Sequence, residues 1–193
     1  MIILVSNEQS LFKSNKYVVQ PFEEAMKVLL PLSVVQLDTE TEGLDCFTKK
    51  LLTIQLGNAD FQIVFDIASY GGRLPDELKQ YLNESEQIFI LQNAKFDLKF
   101  LYVQHVILKH VYDTMLVEFI LTIGLQLAGR DLKTLCKKYC DVDLDKSIRG
   151  QIITKGLNAA VIRYAAYDVV YLEEIMDKQM YQVSYLHLDN AVK

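Results

Sequence analysis

Residues 33–67 read SVVQLDTETEGLDCFTKKLLTIQLGNADFQIVFDI, and this stretch decides the predicted fold. Residues 33–38 are few and rich in β-branched side chains, which predicts a buried strand. Residues 51–56 and 61–67 predict two more strands, and the intervening Gly57-Asn58-Ala59-Asp60 predicts a hairpin turn. Together these segments predict a three-stranded antiparallel meander.

Helical patterns dominate the chain after the meander. The predicted helices cover residues 75–82, 93–102, 113–123, 131–139 and 158–180, with an earlier one at 21–30, one more strand at 87–91 and an irregular connection at 141–156. Asn93 is predicted to cap the helix that it precedes. Strands that come first and helices that come later predict an α/β domain with a mixed sheet flanked by helices.

The bulk composition fits a single globular domain. The chain has 193 residues, of which 51% are hydrophobic and 23% charged. No apolar run is long enough to cross a membrane, and no cationic segment precedes the apolar start, so we expect neither a membrane partner nor a secretory signal. Three cysteines without a dense pattern suit a reducing compartment, and we expect a cytoplasmic location.

The formal net charge of −5 argues mildly against a dedicated nucleic-acid binder, which is usually basic. A site that holds divalent cations must concentrate carboxylates, however, and the bound ions reverse the local field. Net charge therefore excludes neither class of protein.

Two carboxylates end the first strand of the meander. Asp38 and Glu40 are two residues apart, so on a strand both point to the same side. Like charges placed side by side near apolar residues are costly unless a cation neutralises them, and hard divalent ions prefer such oxygen ligands. The alternative is that the strand has ended and both acids are solvated.

Two further acids occupy helices. Asp97 lies in the first turn of the helix that follows Asn93, where an acid also suits the helix dipole. Asp168 lies four residues after Tyr164 on the last helix, so the two share an otherwise apolar face. A metal would be a partner for Asp168, whereas a capping or surface acid is the structural alternative.

The order of these motifs resembles that of the DEDD (DnaQ-like) 3′-5′ exonuclease superfamily. The family has three motifs in a fixed order: Asp-x-Glu on a strand, Asn-x3-Asp at a helix start and Tyr-x3-Asp on a late helix. This chain has all three in that order, and the stretches LTIQLG, Asp113-Thr114 and YAAYDVVYL also agree. Tyr164 marks the tyrosine branch, because the position at which the other branch has histidine is Arg163. The resemblance implies a ribonuclease H-like mixed β-sheet.

The resemblance also implies a role for each acid. Asp38, Glu40, Asp97 and Asp168 would bind two divalent metal ions, Mg²⁺ or Mn²⁺, with Asp38 bridging both. Tyr164 would orient the attacking water. The reaction would be hydrolysis of the last phosphodiester, releasing a nucleoside 5′-monophosphate.

Substrate contacts are predicted at three positions. The resemblance places Leu44 against the terminal base, Asn93 near the sugar-phosphate and the Thr39 amide at the 3′ end; Leu44 as a loop anchor and Asn93 as a helix cap are the structural alternatives. Phosphate contacts or a solvated charged face would explain the basic residues Lys95, Lys99, Arg130, Lys133, Arg149 and Lys155.

The domain prediction is a single exonuclease domain at residues 1–178, with an N-terminal extension at 1–32. Residues 179–193 resemble the helical linker between a proofreading domain and its polymerase, which favours single-stranded DNA as substrate and a covalently attached polymerase module as partner. A ribonuclease D-like enzyme is the alternative, although the chain has no Trp where several tyrosine-branch families place an indole. A catalytically inactive nucleic-acid-binding module is the third reading.

Overall fold

The computed structural model describes residues 1–125, 129–144 and 151–192, and for Asp168 it describes the backbone alone. Within these residues one mixed sheet has seven strands in the order β2-β1-β5-β4-β3-β6-β7. The strands are β1 Ile2–Val5, β2 Val18–Val19, β3 Val34–Thr41, β4 Leu51–Gly57, β5 Gln62–Asp66, β6 Ile88–Leu91 and β7 His110–Asp113.

The predicted meander is confirmed. β3 pairs with β4 and β4 with β5, both antiparallel, while β3–β6, β6–β7, β1–β5 and β1–β2 are parallel pairs. The α/β class with a mixed sheet is therefore correct, and the N-terminal 32 residues add β1 and β2 to the same sheet. The sequence pattern did not predict β1, β2 or β7. Two of them, β2 and β7, are short, partly exposed edge strands.

Eight α-helices lie in the described residues. They are α1 Phe22–Leu29, α2 Asp76–Glu84, α3 Ala94–Val103, α4 Thr114–Leu121, α5 Leu132–Cys140, α6 Gln151–Lys155, α7 Ala159–Val169 and α8 Leu172–Tyr185. Part of the predicted irregular connection at 141–156 is wrong, since α6 is helical, while residues 145–150 lie outside the described residues.

The single helix predicted at 158–180 is also wrong. The chain leaves the helix between α7 and α8, at Val170 and Tyr171. The Gln36 side-chain amide of β3 reaches the backbone at the break, where its nitrogen donates to the Val169 carbonyl at 2.5 Å and its oxygen accepts from the Glu173 amide at 3.3 Å. The sheet thus partly satisfies backbone groups that the break releases. The break lets α7 pack on the sheet and α8 turn onto α4 and α5.

Helices cover both faces of the sheet. On one face the apolar side chains of alternate strand positions pack with those of α1, α2 and α3, among them Leu29, Leu82 and Phe100. On the other face Leu4, Val64 and Ile90 pack with α7 and the start of α8. The described helices include none with the length and apolarity that a membrane crossing needs.

Candidate active site

The carboxyl end of β3 is where the sheet changes from antiparallel to parallel pairing. Its neighbours are β4, antiparallel, and β6, parallel. Side chains alternate along the strand: Val35 and Leu37 belong to the core under α3, so Thr39 faces that helix, whereas Asp38 and Glu40 face the α7 side. Ligand sites of open α/β sheets form at such strand ends.

Asp38 and Glu40 are both half-buried and lie opposite Gln55 and Thr53 of β4. The pairing shifts register between Glu40 and Thr41, which is a β-bulge or similar irregularity. Bulges re-aim the side chains beside them, and they occur often next to active sites. The strand has not ended at the two acids, since it continues past them to Thr41, and each acid is partly shielded from solvent.

Asp97 reaches the same strand end from α3. The Thr39 hydroxyl donates to Asp97 Oδ1 at 2.6 Å, and both side chains are buried. Ala94 and Leu101, each about one turn from Asp97, belong to the core, so Asp97 lies on the inner face of α3. A contact between residues distant in sequence thus joins two of the predicted site residues.

Burial raises the pKa of Asp97 from 3.8 to about 7. Hydrogen bonds from the Thr39 hydroxyl and from backbone amides lower the pKa in part, and the nearby Asp113 raises it. None of the described lysines or arginines forms an ion pair with Asp97. A carboxyl group with 2% of its residue surface exposed, and with its charge uncompensated, is a good acceptor for a bound cation.

Asp113 holds the start of α3, and the sequence did not reveal this role. Its carboxylate accepts hydrogen bonds from the amides of Asn93 and Ala94 at 3.0 and 2.9 Å, before and in α3. It also accepts from the amides of Met115 and Leu116 at 2.9 and 3.4 Å, in α4. An acid before a helix signals an N-cap of that helix, but nothing local signals the second helix.

Asn93 lies at the N-cap position of α3, but the predicted side-chain cap is wrong. The Asn93 side chain makes no capping hydrogen bond, and the residue has a left-handed backbone with φ of 59°. Asp113 caps the helix in its place. The Asn93 side chain is exposed, and the structural reason for asparagine at this position is its left-handed backbone, which asparagine adopts more readily than most residues.

Tyr164 is buried on the inner side of α7 and is part of the helix layer that packs on β3, β4 and β5. The backbone of Asp168 is one turn later in the same helix, as predicted. The Asp168 side chain and Arg149 lie outside the described residues. The spacing therefore places Tyr164 and Asp168 on one stretch of α7, next to the strand that carries Asp38 and Glu40.

Within the described residues, no three His, Cys, Asp or Glu side chains form a group that could hold a metal ion. Asp97 meets the strand from the α3 side, the other two acids face α7, and the Asp168 side chain lies outside the described residues. The donor set still fits a hard divalent ion, since it consists of carboxylate oxygens with one buried, uncompensated acid. Asp168 is the carboxylate that would have to complete it.

Leu44 belongs to the loop between β3 and β4. Its residue surface is 86% exposed, so the loop-anchor alternative is wrong. The Thr39 amide acts on the Asp97 carboxyl group, and its contact with a 3′ end stays a prediction.

Known proteins resemble this chain in sequence and in fold. Residues 19–183 match the model of a 3′-5′ exonuclease family. DNA polymerase I of Aquifex aeolicus (strain VF5) is 28% identical over 156 residues, which are 81% of this chain and 25% of the polymerase. The chain thus spans about a quarter of that relative's length.

Solved structures share the fold at lower identity. NrnC of Brucella melitensis bound to pGG has a TM-score of 0.75 and 22% identity, over 95% of this chain and 82% of NrnC. A structure of the same protein with bound Mg²⁺ has a TM-score of 0.72 and 20% identity, over 95% and 81%. Escherichia coli RNase D, an exoribonuclease, has a TM-score of 0.72 and 21% identity, over 94% and 45%.

Proposed function

Because the chain belongs to the 3′-5′ exonuclease family, we propose that it hydrolyses the terminal phosphodiester of a single-stranded nucleic acid from the 3′ end. The observation that carries the proposal is the junction of two sequence motifs at one strand end, where Thr39 of β3 bonds the buried Asp97 of α3. Each hydrolysis would release one nucleoside 5′-monophosphate.

Two divalent ions, Mg²⁺ or Mn²⁺, would be held by Asp38, Glu40, Asp97 and Asp168. When bound, such ions make hydroxide available near neutral pH and stabilise the charge that develops on the phosphodiester oxygens. Support comes from the oxygen-only donor set and from the Mg²⁺ in the NrnC structure. Asp168 is essential to this assignment, because on α7 it would be the third carboxylate on the side of β3 that Asp38 and Glu40 face.

The protein's own residues hold and orient the reactants. Thr39 keeps the Asp97 carboxyl group in a fixed position through a 2.6 Å hydrogen bond. Tyr164, on the tyrosine-branch motif, orients the attacking water. Asn93 and Leu44 contact the sugar-phosphate and the terminal base; both side chains are exposed, as such contacts require.

DNA is the favoured substrate, and proofreading the favoured role, because the relative with 28% identity is a DNA polymerase. In that reading a polymerase module is attached to the exonuclease domain, whose boundary is near residue 178. RNA is the second candidate, since two of the solved structures with this fold are RNase D and NrnC bound to pGG.

The test uses one single-stranded sequence made as DNA and as RNA, each labelled at the 5′ end. We expect ladder-like shortening with Mg²⁺ or Mn²⁺ and none with EDTA. Binding of the strand without shortening would instead identify an inactive nucleic-acid-binding module. The ratio of the two kcat/KM values decides between DNA and RNA.

Variants test the roles of the residues. Asp38→Ala should lower kcat by about 1,000-fold or more, since it removes a ligand of both ions. Tyr164→Phe should lower kcat by about 10-fold, the value of one hydrogen bond in the transition state. Glu77→Ala, which removes an exposed carboxylate of α2, is the control and should be fully active. Full activity of Asp38→Ala would contradict the proposal.

A further inference from the structure

A groove of about 930 Å³ adjoins the candidate active site. One wall is the loop between β3 and β4 with Leu44 and Phe47, and another is the outer face of α3 from Asn93 to Tyr102. α4 forms the third wall, and Ala191 and Val192 of the C-terminal segment border it. The inner face of α3 carries Asp97, so one helix separates the groove from the buried acid.

The outer face of α3 alternates cations with apolar groups. Leu98, Lys99 and Tyr102 come three, four and seven residues after Lys95, so the four side chains share one face of the helix. From Lys95 to Tyr102 this face is about 10 Å long, the distance that about three stacked nucleotides of one strand cover. Rings beside cations along a groove are the features that bind single strands without reading their sequence.

Two large aromatic side chains in this groove are open to a ligand. Phe47 is 85% exposed and Tyr102 is 67% exposed. Exposed rings of this size cost free energy in water, and a base that stacks on them removes apolar surface from solvent. The groove also begins at Leu44 and Asn93, the residues assigned above to the terminal nucleotide, so a strand that enters there continues along α3.

We propose that this groove binds the nucleotides upstream of the 3′ terminus, with bases stacked on Phe47 and Tyr102 and phosphates near Lys95 and Lys99. The inference rests on the proposed function, because it takes the 3′ end to lie at Asp38 and Asp97. Two acids, Asp45 and Asp113, also line the groove, but both accept backbone amides, whereas none of the ion pairs among the described residues includes Lys95 or Lys99. The two unpaired ammonium groups favour a polyanion as the ligand of this face.

Binding is measured with fluorescent single strands of two to seven nucleotides in EDTA, so that no hydrolysis occurs. The Kd of the wild-type protein should fall with each nucleotide up to about five and then level off. Tyr102→Ala should weaken binding of the pentanucleotide by about 10-fold. Lys99→Gln should reduce the slope of log Kd against log salt by about 0.7. Tyr181→Ala and Lys27→Gln, exposed residues of α8 and α1, are the matched controls and should change neither value.

Kinetics give a second readout, which depends on the proposed function, whereas the Kd series in EDTA does not. The ratio of kcat/KM for the pentanucleotide to that for the dinucleotide should fall by about 10-fold in Tyr102→Ala. If no strand is hydrolysed under any metal condition, the proposed function fails, and the Kd series in EDTA still decides whether the groove binds strands. A Kd series that Tyr102→Ala leaves unchanged overturns the groove assignment.

A groove that instead buries a second copy of the chain gives a different result. Leu116 of α4 lines the groove and is exposed. A dimer that Leu116→Asp dissociates, with the wild-type Kd for the pentanucleotide retained, would overturn the proposal. Sedimentation of both proteins at several concentrations makes this comparison.

Discussion

Thr39 determines how readily Asp97 ionises. Its hydroxyl donates to a carboxyl group that burial otherwise keeps protonated, with a pKa of about 7. Thr39→Val keeps the shape and removes the donor, so we expect the pKa of Asp97 to rise further. In the metal-free protein, with EDTA present, the pKa of the Asp97 carboxyl group followed by NMR titration should move upward by about one pH unit. Thr39→Ser keeps a hydroxyl and is the control, and an unmoved Asp97 pKa in Thr39→Val would contradict the role given to this contact.

The raised pKa of Asp97 also predicts how the metal-free protein responds to pH. Folding favours the protonated acid, so stability falls as pH rises from the unfolded value of 3.8 to the folded value of about 7. Asp97→Asn cannot ionise and escapes this loss. In EDTA its advantage in free energy of unfolding should grow from near zero at pH 4 to about 1 to 3 kcal/mol at pH 8. Urea titrations at both pH values measure it; an advantage that is equal at both would contradict the assignment.

Asp113 acts on the scale of whole elements, because one carboxylate bonds amides at the start of α3 and of α4. Asp113→Ala should destabilise the protein by about 2 to 4 kcal/mol, the loss of two caps. Asp131→Ala removes a carboxylate that accepts from Lys133 and Thr134 at the start of α5, and it should cost about 1 kcal/mol. Equal losses in the two variants, measured by thermal unfolding, would show that Asp113 caps one helix only.

The sequence predicted those elements that have a strong periodic pattern. Residues 33–67 alternate or run apolar as strands do, and β3, β4 and β5 lie where the pattern placed them. β7 is an edge strand that is partly exposed to solvent, and its sequence has no such pattern. The sequence does not reveal the break after Val169, because YAAYDVVYLEE keeps helical periodicity. The side chain that bonds the backbone at the break, Gln36, lies on β3 and is distant in sequence.

For the site, the sequence predicted candidate residues but not the tertiary contacts between them. Order and spacing of the motifs identified Asp38, Glu40 and Asp97 because a strand and a helix start fix where their side chains lie. The partner of Asp97 is Thr39, and the contact that joins them depends on how α3 packs on β3. The sequence places Asp113 in a motif but gives it no role, because its hydrogen bonds to the start of α3 are a tertiary contact.

At the scale of the molecule, the three layers leave one strand end with polar groups on both faces. β3 is one of two strands, with β5, at which pairing changes between antiparallel and parallel. Its carboxyl end lies between α3 on one face and α7 on the other. Thr39 and Asp97 meet on the first side, and Asp38 and Glu40 face the second. Metal ions held at this strand end would draw ligands from both sides, with Asp97 from the α3 side and Asp38, Glu40 and Asp168 from the α7 side.

This arrangement predicts that divalent ions stabilise the whole fold, because ligands from both helix layers would be joined only when an ion is bound. At an Mn²⁺ concentration of about 100 times Kd the gain is about 2.7 kcal/mol, or a rise of about 5 to 10 °C in Tm for a chain of this size. Asp38→Ala should abolish the rise, whereas Glu77→Ala, which loses the same charge from the surface of α2, should keep it. Differential scanning fluorimetry with Mn²⁺ and with EDTA measures both. A rise that survives in Asp38→Ala would place the stabilising ion elsewhere, because this variant lacks the β3 carboxylate that is assigned to the ion site.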